Sequence, residues 1–184
     1  WSQRGDDLWS RSDSVALSDD GEIVAIGDSY YGDFVWAYGV FNGAGLVYRW
    51  NGSGWTHISA EIVGKASENL GAHVALSSNG EILAIGGKWS PHALADDIGY
   101  VRVYEWDGSG WTQRGADLDA EELYSERGGK SVALSDNGEI VAIGALYNEG
   151  SNAGHVRVFE WNGDIWLPVG DDIDGEAAYD RSGT

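Results

Sequence analysis

Cysteine is absent from the 184 residues, so no disulfide holds this chain together. That leaves the redox compartment open, because secreted proteins with good cores need no bridges. Proline is nearly absent as well, at 2 residues against 28 glycines. Many glycines with few prolines suit tight turns between strands better than a disordered linker. Bases are scarce: 11 Lys and Arg stand against 30 Asp and Glu, for a net charge of −19. Such a surface repels phosphate backbones and anionic lipid, which argues against nucleic acid and membrane surfaces as partners. No run approaches the roughly 18 uninterrupted apolar residues of a membrane span, so no membrane insertion is expected. No signal peptide is visible, and the first residue is Trp rather than Met, so the chain reads as a processed product or a part of something longer. What is abundant is aromatic: 10 Trp and 9 Tyr, on a length that suffices for one domain with a real core.

The sequence writes the same line several times. "SVALSDDGEIVAIG" stands at 14–27, "HVALSSNGEILAIG" at 73–86 and "SVALSDNGEIVAIG" at 131–144. The glycines of "GEI" fall at 21, 80 and 138, spaced 59 and 58 apart. "VYRWNGSGWTHISAEI" at 47–62, "VYEWDGSGWTQRGADL" at 103–118 and "VFEWNGDIWLPVGDDI" at 158–173 form a second series, and "WSQRGDDL" opens the chain as a stump of it. A repeat of this period organises the whole fold. It divides the chain into units 1–54, 55–110 and 111–165, with 166–184 starting a fourth.

Each unit reads as four short strands. Val-Ala-Leu-Ser comes first, then a three-residue turn ending in Gly, where a positive φ is required. Glu-Ile-Val-Ala-Ile-Gly follows, apolar on both faces and therefore expected to be buried on both. After a variable loop comes an alternating strand such as Val101 to Trp106, and Trp-(Asn/Asp)-Gly-x-x-Trp turns the chain into the fourth. No segment carries a helical apolar period. The expected fold is all-β: β-propeller blades, three four-stranded antiparallel repeats plus an extra terminal strand. Propellers close with at least about 4 blades, so the ends predict pairing with further blades or with other copies of the chain, head to tail. Trp1 to Leu8 is expected to be a strand that lies against chain outside this stretch or completes a blade of another copy.

"SVALSDNGEIVAIGA…GHVRVFEWNG" resembles the FG-GAP repeat group, the blade type of integrin α-chain propellers, in a divergent, calcium-poor form. The Trp-x-Gln-x-Gly-x-Asp-(Leu/Ile) strand and the linker from Asp174 to Gly183 are similar to repeat proteins of heterokont algae and bacteria. The resemblance covers nearly the whole chain, and it implies fold rather than function. FG-GAP blades hold calcium in a loop where several oxygens converge. The turns "SDDGE", "SSNGE" and "SDNGE" are too short for that, so no cofactor is expected. The better calcium candidates are Asp172, Asp174 and Glu176, whose bland reading is an acidic, solvated loop.

The pairs Trp50/Trp55, Trp106/Trp111 and Trp161/Trp166 read as cross-strand pins of a hairpin rather than as sugar platforms, because every unit repeats them. Trp9, Trp36 and Trp89 lie outside the repeated lines, and with Tyr30 and Tyr31 they form the candidate partner or ligand surface. Histidines 57, 73, 92 and 155 occupy unrelated blade positions, and no carboxylate pair stands out from the general acidity. "NGS" at Asn51 to Ser53 is a glycosylation acceptor on a turn tip. The expectation is a non-enzymatic, extracellular structural or recognition segment of a surface or filamentous glycoprotein, with possible glycan contacts. The alternatives are a carbohydrate-binding or adhesion module using the loop tryptophans, and the propeller part of a secreted polysaccharide hydrolase or lyase.

Overall fold

A computed structural model describes residues 2–32, 41–65, 68–87, 99–119, 131–145 and 153–180. Among them there is no helix, and the strands form three antiparallel sheets. The first sheet comprises β1 (Ser14–Leu17), β2 (Ile23–Asp28), β3 (Ala44–Trp50), β4 (Trp55–His57) and β5 (Ile62–Val63). The second comprises β6 (Leu70–Leu76), β7 (Ile82–Gly87), β8 (Tyr100–Trp106), β9 (Trp111–Gln113) and β10 (Leu118–Asp119). The third comprises β11 (Ser131–Leu134), β12 (Ile140–Ala145), β13 (His155–Trp161), β14 (Trp166–Pro168) and β15 (Ile173–Asp174). In each sheet the two last, short segments pair with the same neighbour, so they are one fourth strand interrupted in the middle. The sheets are propeller blades with four strand positions. Each Trp hairpin stays within one blade, so the sequence divisions at 54, 110 and 165 fall inside sheets.

The first-strand turn explains the recurrent Ser-x-x-Gly. Ser18 Oγ donates to Asp20 Oδ1 at 2.7 Å and accepts from the Ile23 amide at 2.9 Å. Ser77 with Asn79 and Ser135 with Asn137 repeat this closure. Gly21, Gly80 and Gly138 stand at φ +69°, +70° and +69°, the left-handed region that glycine alone enters without strain. The turns also join the blades. The Asp19 amide donates to the Ser78 carbonyl at 2.9 Å, and the Ser78 amide donates to the Asp136 carbonyl at 2.8 Å.

Two apolar cores lie between blades. Ile23, Ala25 and Val47 of the first blade meet Val74, Leu83 and Ile85 of the second. Ile82, Ala84, Val101 and Val103 of the second meet Val141, Ile143 and Phe159 of the third. The second strand is covered on both faces in β7, which has a blade on each side, and β2 is buried throughout as well although only one described blade adjoins it. β12 is not: Ile140 at its start is 41% exposed, because among the described residues no blade lies beyond it.

Residues 2–13 contain no strand, contrary to the expectation for the opening line. Among the described residues no third strand lies beside them to supply a ladder. They dock instead on the first blade of their own chain. The indole of Trp55 donates to the Arg4 carbonyl at 2.9 Å, and the Arg4 guanidinium sits 4.6 Å from the Trp50 ring centroid. The same joint connects the second and third blades, where the Trp166 indole donates to the Arg114 carbonyl at 2.8 Å and Arg114 covers Trp161 at 4.9 Å. Gly5 and Gly115 follow the arginines at φ +79° and +81°, which turns those carbonyls toward the indoles.

The joint between the first and second blades breaks the rule. Ile58 and Ser59 replace Arg and Gly, and Ser59 does not adopt positive φ. The buried Trp111 indole nitrogen has no acceptor among the described residues. Ser59→Gly is expected to let the Ile58 carbonyl turn to that indole, adding about 1 kcal/mol of stability. A higher urea midpoint together with slower exchange of the Trp111 indole proton checks this. An unchanged indole proton would count against it.

Candidate functional site

The described blades have two ends. One carries the Ser-x-x-Gly turns and the Trp hairpins. The other carries the linkers that enter each first strand and the variable loops that leave each second strand, and here a groove of about 450 Å³ opens between Ser10, Arg11, Ser12, Asp13 and Tyr30.

Two of its lining residues are held by Asp28 at the end of β2. This side chain is buried, and its two oxygens accept from the Tyr30 amide at 3.0 Å and the Arg11 amide at 3.2 Å. Asp28 thus ties the linker 10–13 to the loop at 29–31, and it acts as a positioning residue. Asp13 accepts from the amide and the hydroxyl of Ser29. Tyr30 stands edge-on to Phe41 with centroids 5.4 Å apart, and the Arg11 guanidinium lies 5.9 Å from the Tyr30 ring. The Ser10 hydroxyl oxygen is buried beside the groove with no partner among the described residues. A carboxylate, a guanidinium, a buried hydroxyl and an aromatic face converge on one concave surface, as substrate-holding sites require.

Of the residues singled out from the sequence, Tyr30 lines this groove. Trp9 directly precedes it and is 87% exposed. Tyr31 pins the loop: its amide donates to the Asp28 carbonyl and its carbonyl accepts from Gly43. Burial and the nearby Glu61 carboxylate raise the Tyr31 hydroxyl pKa. Trp36 and Trp89 lie outside the described residues. Asn51 is exposed on the hairpin after β3, at the other end of the blade from the groove, and its carbonyl oxygen accepts from Ser53 and Gly54 in a closed turn.

Sequence reasoning missed Arg11, Asp13 and Asp28. The available signal was departure from the repeat. At the position of Asp28 the other blades carry Gly87 and Ala145, and at that of Asp13 they carry Ala72 and Lys130.

The calcium candidates are not brought together. Asp172 faces Arg157 at 3.5 Å, Asp174 belongs to β15, and Glu176 is exposed. Among the described residues no three His, Asp or Glu side chains are placed to hold a metal. The three Trp pairs face each other across their hairpins at 5.3 to 5.5 Å between centroids.

A second polar cluster lies inside the middle blade. Arg102, 6% exposed, donates to both Glu68 oxygens at 2.9 Å and to Asp117 at 2.9 Å, with Tyr100 stacked at 4.4 Å. It is an internal tie rather than a site, because its donors are already used.

Comparison with known proteins locates the architecture. No family model and no curated protein matches the chain, so the likeness to FG-GAP blades remains one of motif. Solved structures do match. A Bacteroides uniformis protein assigned as a 6-phosphogluconolactonase aligns at TM-score 0.54 and 12% identity, over 89% of this chain and 40% of its own. Sqt1 of Chaetomium thermophilum aligns at TM-score 0.52 and 19% identity, over 91% of this chain and 36% of its own. The periplasmic gluconolactonase of Pseudomonas aeruginosa aligns at TM-score 0.48 and 14% identity. The chain spans about two fifths of the lactonase-assigned protein's length. The fold is thus that of a β-propeller. This corrects the expectation of a non-enzymatic structural segment, which rested on finding no chemical constellation in the sequence. A protein assigned as a lactonase shares this fold, so the fold itself does not mark a structural segment.

Proposed function

We propose that these blades belong to a propeller hydrolase that opens an uncharged, polyhydroxylated ring ester, a sugar lactone, in the groove at the loop end of the first blade. The observation that carries the reading is the convergence of Asp13, Arg11, the buried Ser10 hydroxyl and Tyr30, all where the first blade departs from the repeat. Asp13 takes a proton from water, which adds to the lactone carbonyl. The Arg11 guanidinium faces the charge that develops on the carbonyl oxygen. Collapse breaks the ring C–O bond, and the proton held by Asp13 passes to the departing alkoxide. Tyr30 and Trp9 offer flat faces to a sugar ring. A net charge of −19 disfavours phosphorylated substrates, hence the uncharged lactone.

The test is hydrolysis of δ-gluconolactone by the chain, followed as acid release above the spontaneous rate. Asp13→Asn is expected to lower kcat/KM about 100-fold with an unchanged circular dichroism spectrum. No rate above background, or full activity in the variant, would sink the proposal.

A further inference from the structure

Asparagine followed by glycine occurs five times, at Asn42, Asn51, Asn79, Asn137 and Asn162. In this pair the glycine amide nitrogen can attack the side-chain carbonyl carbon of the asparagine, because no Cβ shields it. The reaction needs that nitrogen free, and at three sites it is not. Gly43 donates its amide to the Tyr31 carbonyl at 3.0 Å, Gly80 to that of Ser77 at 2.9 Å and Gly138 to that of Ser135 at 2.9 Å, and all three glycines are buried. Asn79 and Asn137 also have their side-chain nitrogens held, by Glu81 at 2.7 Å and by Glu139 at 2.8 Å. Gly52 and Gly163, at the tips of the first and third Trp hairpins, differ. Their amides make no hydrogen bond among the described residues. Both glycines are exposed, and a Cβ on either would meet nothing within 4 Å.

The first hairpin also activates the carbon under attack. Asn51 Oδ1 accepts from the Ser53 amide at 2.9 Å, the Ser53 hydroxyl at 2.9 Å and the Gly54 amide at 3.0 Å. Backbone amides only donate, so the side-chain oxygen and not the nitrogen must face them. Three donors on one carbonyl oxygen draw charge from its carbon. They also stand where negative charge collects once a nucleophile has added. The third hairpin is a weaker version. Asn162 Oδ1 has two donors, the amides of Asp164 and Ile165 at 3.0 and 2.9 Å. Asp164 takes the place of Ser53, which removes the hydroxyl and adds a charge that opposes a developing anion.

We propose that Asn51 is a site of spontaneous deamidation, activated by the cradle of Ser53 and Gly54, with Asn162 a slower second and the other three sites protected by the fold. The Gly52 nitrogen gives its proton to hydroxide from solvent and bonds to Asn51 Cγ. The oxyanion forms on Oδ1, inside the cradle. Its collapse breaks the Cγ–Nδ2 bond, and the nitrogen takes a proton from water and leaves as ammonia, which restores the hydroxide. Water then opens the cyclic imide at one carbonyl to give aspartate, or at the other to give isoaspartate. The aspartate product fits the hairpin. Asp107 holds this position in the second blade and accepts the same three bonds at 2.7, 2.7 and 2.8 Å. Isoaspartate instead routes the main chain through the former side chain and lengthens the turn by a methylene.

Peptide mapping by mass spectrometry provides the test, on the chain made without glycosylation and held folded in mildly alkaline buffer, with the same chain in urea as reference. In the folded chain Asn51 is expected to convert at least about tenfold faster than Asn79 and Asn137, which must first break a backbone hydrogen bond. In urea the five sites are expected to converge, because only the shared dipeptide then acts on them. Ser53→Ala removes one donor from the cradle. It is expected to slow Asn51 several-fold in the folded chain and to leave its rate in urea unchanged. The proposal is overturned if Asn51 in the folded chain converts no faster than Asn79 and Asn137. It is overturned equally if Ser53→Ala leaves the folded-state rate where it was, or if the five sites keep their folded-state order and spread in urea.

Discussion

Arg102→Leu is expected to cost about 3–5 kcal/mol at neutral pH, the range for removing one partner of a buried ion cluster. The variant keeps an apolar stem but leaves Glu68 and Asp117 without the guanidinium that donates to both. Burial is the largest single influence and alone would raise the pKa of both carboxyls; in the native chain the hydrogen bonds and charge of Arg102, joined by the Lys65 amide on Glu68 and the Gln113 side chain on Asp117, together hold both below their usual values. Carboxyls depressed in the folded state stabilise it above their unfolded pKa values, about 4.3 and 3.9, and that stability fades as pH falls through the folded values. Without Arg102 most of what opposes burial is gone, both pKa values rise, and the variant gains from protonation as pH falls. The deficit against the native chain is therefore largest at pH 7 and shrinks toward about pH 4. Urea midpoints at both pH values decide this, and an equal deficit at both would exclude the charge explanation.

Leu83→Ala is expected to cost about 2–5 kcal/mol, as for other buried leucines. Leu83 is 0% exposed and lies where the first and second blades meet, beside Ile23, Val47 and Ile85. The blades hold each other by this contact, so the cavity weakens two sheets at once. Leu17→Ala removes the same atoms from a side chain that is 58% exposed and is expected to stay within about 0.5 kcal/mol. Urea unfolding of the two variants under one set of conditions checks the contrast. Equal losses would mean that Leu17 is covered in solution.

The architecture was legible in the sequence because the fold repeats. The turn glycines at 21, 80 and 138, the doubly apolar second strands and the Trp hairpins each carry a local rule, and three copies of a rule separate it from accident. The groove was illegible for the converse reason. Arg11, Asp13 and Asp28 obey no repeated pattern, and among 30 acids a single carboxylate does not stand out. What makes Asp28 distinctive is that both its oxygens are engaged by backbone amides on either side of the groove, and that requires the linker and the loop to be placed in space. The opening line misled because its residues match a fourth strand. A strand needs a neighbour, and residues 2–8 instead rest on a tryptophan pair, which bonds the Arg4 carbonyl.

The hydrogen bonds that run from Asp19 through Ser78 to Asp136 make the turns a relay in which the middle blade both accepts and donates. In such an array each unit draws its stability from its immediate neighbours, so the blades behave as coupled sites on a line. The second blade, with a neighbour on each side, opens only when a junction on both flanks is lost. Among the described residues the first and third blades share one junction each. Among the described strands, the amides of β7 should therefore be the last to exchange with solvent.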